Sequence, residues 1–239
     1  MFKTKQKKRK LELRKLSEEL GVTIELDYEN DKAYNYIIEN VDLLRDIIDS
    51  FPKFKNKGLV IKFKDTEKRP IAYKHQRQPL ESGETTIGTG NLQTSIEIEL
   101  AGISSLIHEF GHLVDEYEIK NRNSLYSETS DYALINHLYK ETLSKELKAS
   151  NTQLTHDLKR YSELNVETFA RLFQQYYLDL YGENELTRMK KPLDIADETA
   201  RKVYQEHKEL IDNYFDEVYY NVQFEPNLLD LNEQLGRSL

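Results

Sequence analysis

His108, Glu109 and His112, within the stretch SSLIHEFGHLVDE over residues 104–116, are the residues whose types and spacing could do chemistry. On a helix of 3.6 residues per turn, side chains four apart stand on one face with Cβ atoms about 5–6 Å apart. Two imidazoles at that spacing can grip one metal ion. Zinc takes histidine nitrogens at about 2.0–2.1 Å, and a catalytic site leaves one coordination position for water. The intervening glutamate then stands where it can take a proton from that water. The chemistry predicted is zinc-dependent hydrolysis, with His108 and His112 on the metal and Glu109 as the base. Two solvated histidines on an amphipathic helix are the plainer alternative.

The helix that must carry these groups is legible. At about 100° per residue, Ile103, Leu106, Ile107, Phe110, Leu113, Val114 and Tyr117 form one apolar stripe, and Ala101, Ser104, Ser105, His108, His112 and Asp115 lie opposite. Gly111 costs about 1 kcal/mol against alanine inside a helix, so its presence predicts close approach of another backbone. Asp115 shares the histidine face and is a candidate to orient His112 through its second ring nitrogen; a solvated helix-end acid fits it equally.

Two histidines need a third protein ligand. Residues 161–182, YSELNVETFARLFQQYYLDLYG, read as a helix with Val166, Phe169, Ala170, Phe173, Tyr176, Tyr177 and Leu180 inward. Glu167 lies at the margin of that stripe beside small Ala170, where a second helix can come close. It is the best-placed downstream carboxylate, although a surface glutamate would read the same. His75, His137, His156 and His207 have no partner at metal spacing.

HEFGHLVDE followed by Glu167-Thr168-Phe169-Ala170-Arg171 and Tyr176 resembles the zincin-type metallopeptidases whose third ligand is a glutamate. It is similar to the catalytic domain of anthrax lethal factor, with its HEFGH helix and later E-x-F-A helix. It is also similar to the zincin-like domains of polyvalent proteins of phages and conjugative elements, where E-x-F-A-R followed by tyrosine is typical. The likeness covers about residues 96–181. It implies a zinc peptidase acting on a protein or peptide, with His108, His112 and Glu167 as ligands, Glu109 as general base and Tyr161 as oxyanion donor. Tyr161 stands one residue nearer the third ligand than in that pattern, and Arg171 replaces an acidic residue of lethal factor. A zincin-fold structural or inhibitory protein of a phage or mobile element, with little turnover, is the alternative.

Composition sets the frame around this site. The 239 residues suit one sizeable domain, and 38% hydrophobic against 32% charged residues describes a polar, water-soluble chain. No run approaches the ~18 apolar residues of a membrane span. The absence of cysteine removes thiolate nucleophiles and leaves histidine and carboxylate as metal ligands. The start, MFKTKQKKRK, lacks the apolar stretch of a secretory signal, so the expected location is cytoplasmic. Residues 1–15 hold eight cations against Glu12, a net of +7, which leaves −15 for the remaining 224 given −8 overall. Such a leader can dock on nucleic acid, but it reads first as a frayed, solvated lead into a helix.

The expected architecture is α+β and zincin-like: a small mixed sheet with the HExxH helix, followed by a mostly helical C-terminal subdomain. The divisions drawn are a basic leader (1–20), an α/β lobe (21–92), a catalytic region (93–220) and a tail (221–239). Leu11, Leu13, Leu16 and Leu20 suggest a helix ended by Gly21, and residues 22–26 a strand. Residues 31–49 suggest one helix, with further strands at 59–63 and 71–73. Residues 75–91, rich in Gly, Thr and Pro, suggest no regular element. Ile96, Ile98 and Leu100 alternate with Glu97 and Glu99 as a half-buried strand. As a sheet edge beside the metal, that strand would bind an extended substrate and its glutamates would favour basic side chains; an ordinary sheet strand fits the same residues. Later helices are expected at 132–147, 153–159 and 194–220, and the leucine-rich tail is a candidate docking segment.

Overall fold

The computed structural model describes residues 2–26, 31–64, 83–86, 94–117, 124–150, 156–188 and 195–224. Four strands, β1 (Thr23–Leu26), β2 (Val60–Lys64), β3 (Gly83–Thr86) and β4 (Ser95–Glu99), form one sheet in the order β1-β2-β4-β3. The pairs β1–β2 and β2–β4 are parallel, and β3 runs antiparallel to β4. The register aligns Ile24, Ile61 and Ile96 in one row and Leu26, Phe63 and Ile98 in the next, all buried. Alternate residues point to the other face, where Lys62 bonds Glu97 across the strands at 3.2 Å.

Nine helices complete the described residues: α1 (Phe2–Leu20), α2 (Asp31–Glu39), α3 (Val41–Asp49), α4 (Leu106–Asp115), α5 (Ser130–Ala149), α6 (His156–Ser162), α7 (Asn165–Tyr181), α8 (Ile195–Glu206) and α9 (Lys208–Phe224). Helix α1 packs on β1 through Leu13, Leu16 and Leu20, while α4 packs against β3 and β4. One cluster of buried apolar side chains runs from Leu13 to Val222. The architecture is α+β, a small mixed sheet followed by a mostly helical C-terminal region. Among the described residues no helix is long and apolar enough to cross a membrane.

Several expectations are corrected. The strand expected at the sheet edge, β4, is paired on both sides, and the edge beside it is β3, inside the stretch read as irregular. Gly83-Glu84-Thr85-Thr86 has no apolar alternation to announce a strand; pairing with β4 makes it one. The basic leader is not frayed: α1 is continuous, with Arg9 buried, paired to Asp31 at 2.5 Å and lying 4.6 Å over the ring of Tyr34. Of the four leucines that suggested this helix, Leu13, Leu16 and Leu20 are buried and Leu11 is 54% exposed. The helix over 31–49 breaks at Asn40, whose side-chain amide bonds the Tyr36 carbonyl. The helix over 194–220 is divided at His207, and the one over 161–182 starts only at Asn165, which leaves Tyr161 on α6. A 3-10 turn (Leu100–Ser105) leads β4 into α4. The strand expected at 71–73, His75 and the tail beyond Pro226 lie outside the described residues.

The pairing of α4 with α7 is the contact that makes the site. A Cβ placed on Gly111 would lie 2.9 Å from Cα of Ala170 and 3.2 Å from its carbonyl oxygen, so the backbones meet where neither helix carries bulk. This is the close approach that Gly111 announces. Gln174, buried on α7, ties the pair to the turn before α4 by donating to the Ser104 carbonyl at 3.0 Å. Gly111→Ala is expected to destabilise the fold by about 1–2 kcal/mol in urea unfolding, because overpacking against fixed backbone outweighs the better helix propensity of alanine.

Asp115 closes the other end of α4. It is buried, accepts the Ser127 backbone N–H at 2.6 Å and therefore anchors the following 3-10 turn (Tyr126–Glu128), where its place on the helix left open either a bond to His112 or a solvated helix-end acid. Burial pushes its carboxyl up from the ordinary 3.8 to about 7, against the lowering effect of the Ser127 hydrogen bonds. A folded-state pKa raised above the unfolded one gives stability that is complete below about pH 4 and is lost as pH rises toward 7, by about 4 kcal/mol at most. Asp115→Asn keeps an acceptor for Ser127. Urea unfolding of the metal-free variant at pH 5 and 7.5 should show a smaller loss of stability than the parent protein does.

Candidate metal centre

Helix α4 turns its apolar stripe inward as expected: Ile103, Leu106, Ile107, Phe110, Leu113 and Val114 are buried. His108 and His112 are partly buried on its other side, facing α7. Their Nε2 atoms stand 3.2 Å apart. Glu167, in the first turn of α7, sends one oxygen toward each ring: Oε2 is 3.4 Å from His108 Nε2 and Oε1 is 3.5 Å from His112 Nε2. The structure thus brings together the three side chains expected to share a metal, as a cluster able to chelate one ion.

The fit to zinc can be tested by size. Ligand bonds of about 2.0–2.1 Å arranged tetrahedrally put neighbouring donor atoms about 3.3–3.4 Å apart. The 3.2 Å between the two Nε2 atoms falls within about 0.2 Å of that edge length, and each ring has one Glu167 oxygen at 3.4 or 3.5 Å. Buried Oε2 of Glu167 also has no hydrogen-bond donor, which is costly for a carboxylate unless a cation satisfies it. Two imidazoles and a carboxylate, without thiolate, make a donor set suited to zinc.

The electrostatics describe an anionic socket poised for a cation. Burial opposes ionisation of Glu167, but His108 and the Arg171 guanidinium outweigh it and hold its carboxyl down at about 2. Burial and the neighbouring His108 lower His112 to about 4, leaving it neutral at physiological pH. For His108, burial favours the neutral ring, yet the Glu167 carboxylate prevails and raises its pKa.

Behind Glu167 stands an ion-pair relay that the sequence reading only half found. Arg171, one turn along α7, is buried, with Nη2 3.4 Å from Glu167 Oε2 and Nε 3.4 Å from Asp197 Oδ1 on α8. The departure at Arg171 was visible from the family pattern. Asp197 was not, because nothing in its own stretch marks it and only the packing of α8 on α7 brings it near. The Arg171 guanidinium also lies 5.8 Å over the ring of Tyr161, which is partly buried on α6 and so stands near the same cluster. Glu109 is buried on α4, and its charge helps to raise the pKa of His108. His137 is exposed on α5 and His207 lies between α8 and α9; among the described residues the chelating cluster contains neither.

Comparison with known proteins adds no relative: no family model, no curated protein and no solved structure matches the chain.

Proposed function

We propose that the protein is a zinc-dependent peptidase of the zincin type, with His108, His112 and Glu167 as the metal ligands. The observation that carries this reading is the cluster between α4 and α7, in which the two Nε2 atoms stand 3.2 Å apart and Glu167 sets Oε2 3.4 Å from that of His108 and Oε1 3.5 Å from that of His112. Zinc held there would supply a Lewis acid and a coordinated water of pKa about 7. Glu109, between the two histidines in sequence and itself no ligand, accepts the proton of the attacking water and hands it to the leaving amine. The Tyr161 hydroxyl donates a hydrogen bond to the oxyanion that develops on the substrate carbonyl, a contribution of about 3 kcal/mol for one preorganised donor. The substrate lies extended beside β3, the sheet edge against which α4 packs. Arg171, braced by Asp197, fixes the Glu167 carboxylate so that it faces the two rings.

The base assignment is tested by separating turnover from metal. Purified parent protein should carry about one zinc per chain by elemental analysis and cleave members of a mixed peptide library. Glu109→Gln should keep the zinc and the melting temperature while losing about 10²-fold or more in turnover, because an amide cannot take the proton. His112→Ala should lose zinc and turnover together. A Glu109→Gln protein that keeps its full biological effect would leave a zincin-fold scaffold as the function.

Arg171 is tested through affinity. Arg171→Met should weaken zinc binding about 10–100-fold in a chelator competition, since partners that orient ligands usually count for that much. Arg171→Lys should restore part of it, and the visible spectrum of the cobalt-substituted protein should shift in the Met variant. Unchanged affinity in both variants would remove Arg171 from the site.

A further inference from the structure

We propose that the outer face of α1 is a docking surface for the phosphate backbone of nucleic acid. Lys7, Lys8, Lys10, Arg14 and Lys15 are all exposed on this helix. At 100° per residue they fall within an arc of about 160°, centred on exposed Leu11. The buried residues Arg9, Leu13, Leu16 and Leu20 occupy the opposite side. From Lys7 to Lys15 the helix rises about 12 Å. The acids of α1 meet part of this charge, Glu12 at 3.8 Å from Lys8 and also bonded to the Tyr34 hydroxyl, Glu18 at 3.0 Å from Arg14, while Glu19 pairs with Arg45; five cations against Glu12 and Glu18 leave the face basic.

Rigidity turns this charge into a surface. Arg9 and Lys5 both reach Asp31, and the guanidinium of Arg9 lies over Tyr34, so α1 is clamped to the body and its cations need not be ordered on binding. Lys10 and Arg14 also border a groove of about 530 Å³ beside α1 and β1, lined as well by Glu18 and Glu25. A lipid surface is the poorer partner, because the leucines of α1 are spent in the core and Leu11 alone is left to enter a bilayer. A polyanion with closely spaced charges rewards such a face through counterion release. The face borders β1, at the other end of the sheet from β3 and three strand spacings or about 14 Å away, so a docked nucleic acid leaves the metal centre open.

The experiment is fluorescence anisotropy of the full chain with a labelled 20-base-pair DNA duplex between 50 and 300 mM salt. About four engaged cations predict a log–log salt slope near −4. The variant Lys7→Gln/Lys10→Gln/Lys15→Gln should bind at least tenfold more weakly at 100 mM salt, with a slope shallower by about 2–3 and unchanged circular dichroism. Should that variant melt early, Lys8→Gln/Lys15→Gln carries the same test with a slope change of about 2. Absence of binding at 50 mM salt, or a slope that the substitutions leave alone, overturns the proposal. So does equal or tighter binding to phosphatidylserine vesicles or to polyglutamate. None of these outcomes depends on zinc.

Discussion

Everything at the metal centre depends on how closely α4 and α7 can approach, and that is decided by the missing side chain of Gly111 against Ala170. The two helices present equivalent faces at this contact. His108 and His112 sit three before and one after Gly111; Glu167 and Arg171 sit three before and one after Ala170. The point of closest approach therefore lies within both pairs of functional side chains, at the same place in each. Donor atoms must meet within a few tenths of an ångström to share one ion. A helix spacing set by backbone against backbone is a stiffer gauge than one set by flexible side chains, because packed interiors transmit displacement with little compliance.

The second constraint is charge in a dry place. Glu167 and Arg171 are both buried and adjacent, and Asp197 is mostly covered. Buried ions are costly unless each is answered. Arg171 answers to carboxylates on two helices, α7 and α8, and Glu167 to Arg171 and two imidazoles. The alternation of sign from Asp197 through Arg171 and Glu167 to His108 ties the site electrically to a helix that carries none of its candidate ligands.

What could be read from the sequence was what repeats at helical period or stands out locally. The stripe of α4, the histidine pair, the close approach at Gly111 and the placement of Glu167 beside Ala170 all follow from 3.6-residue periodicity and residue size. Features made by distant partners were hidden. Strand β3 exists because Thr85 pairs opposite Ile96, and its own four residues do not announce it. The order of α1 depends on Asp31 and Tyr34, beyond the intervening strand. Asp115 was placed by helix geometry on the histidine face, but the backbone of Ser127, twelve residues on, decided its role. Leu11 and Leu180 satisfied an apolar count and yet face solvent.

Phe51 has a consequence for the moment at which the protein becomes competent. Its ring stacks on Phe110 of α4 at 4.2 Å and lies within 6.1 Å of Phe173 and Tyr177 of α7 and Tyr219 of α9. The neighbouring Ser50 carbonyl accepts the Tyr219 hydroxyl. The back of both metal-bearing helices is thus sealed by one residue made early and another made 168 positions later. A ribosome adding about 5–20 residues per second has delivered both histidines well before Tyr219 can complete that seal. Contacts of such long range form late in folding. The cluster of His108, His112 and Glu167 therefore gains its backing only after the chain has been made through Tyr219, which places the assembly of this site late in folding.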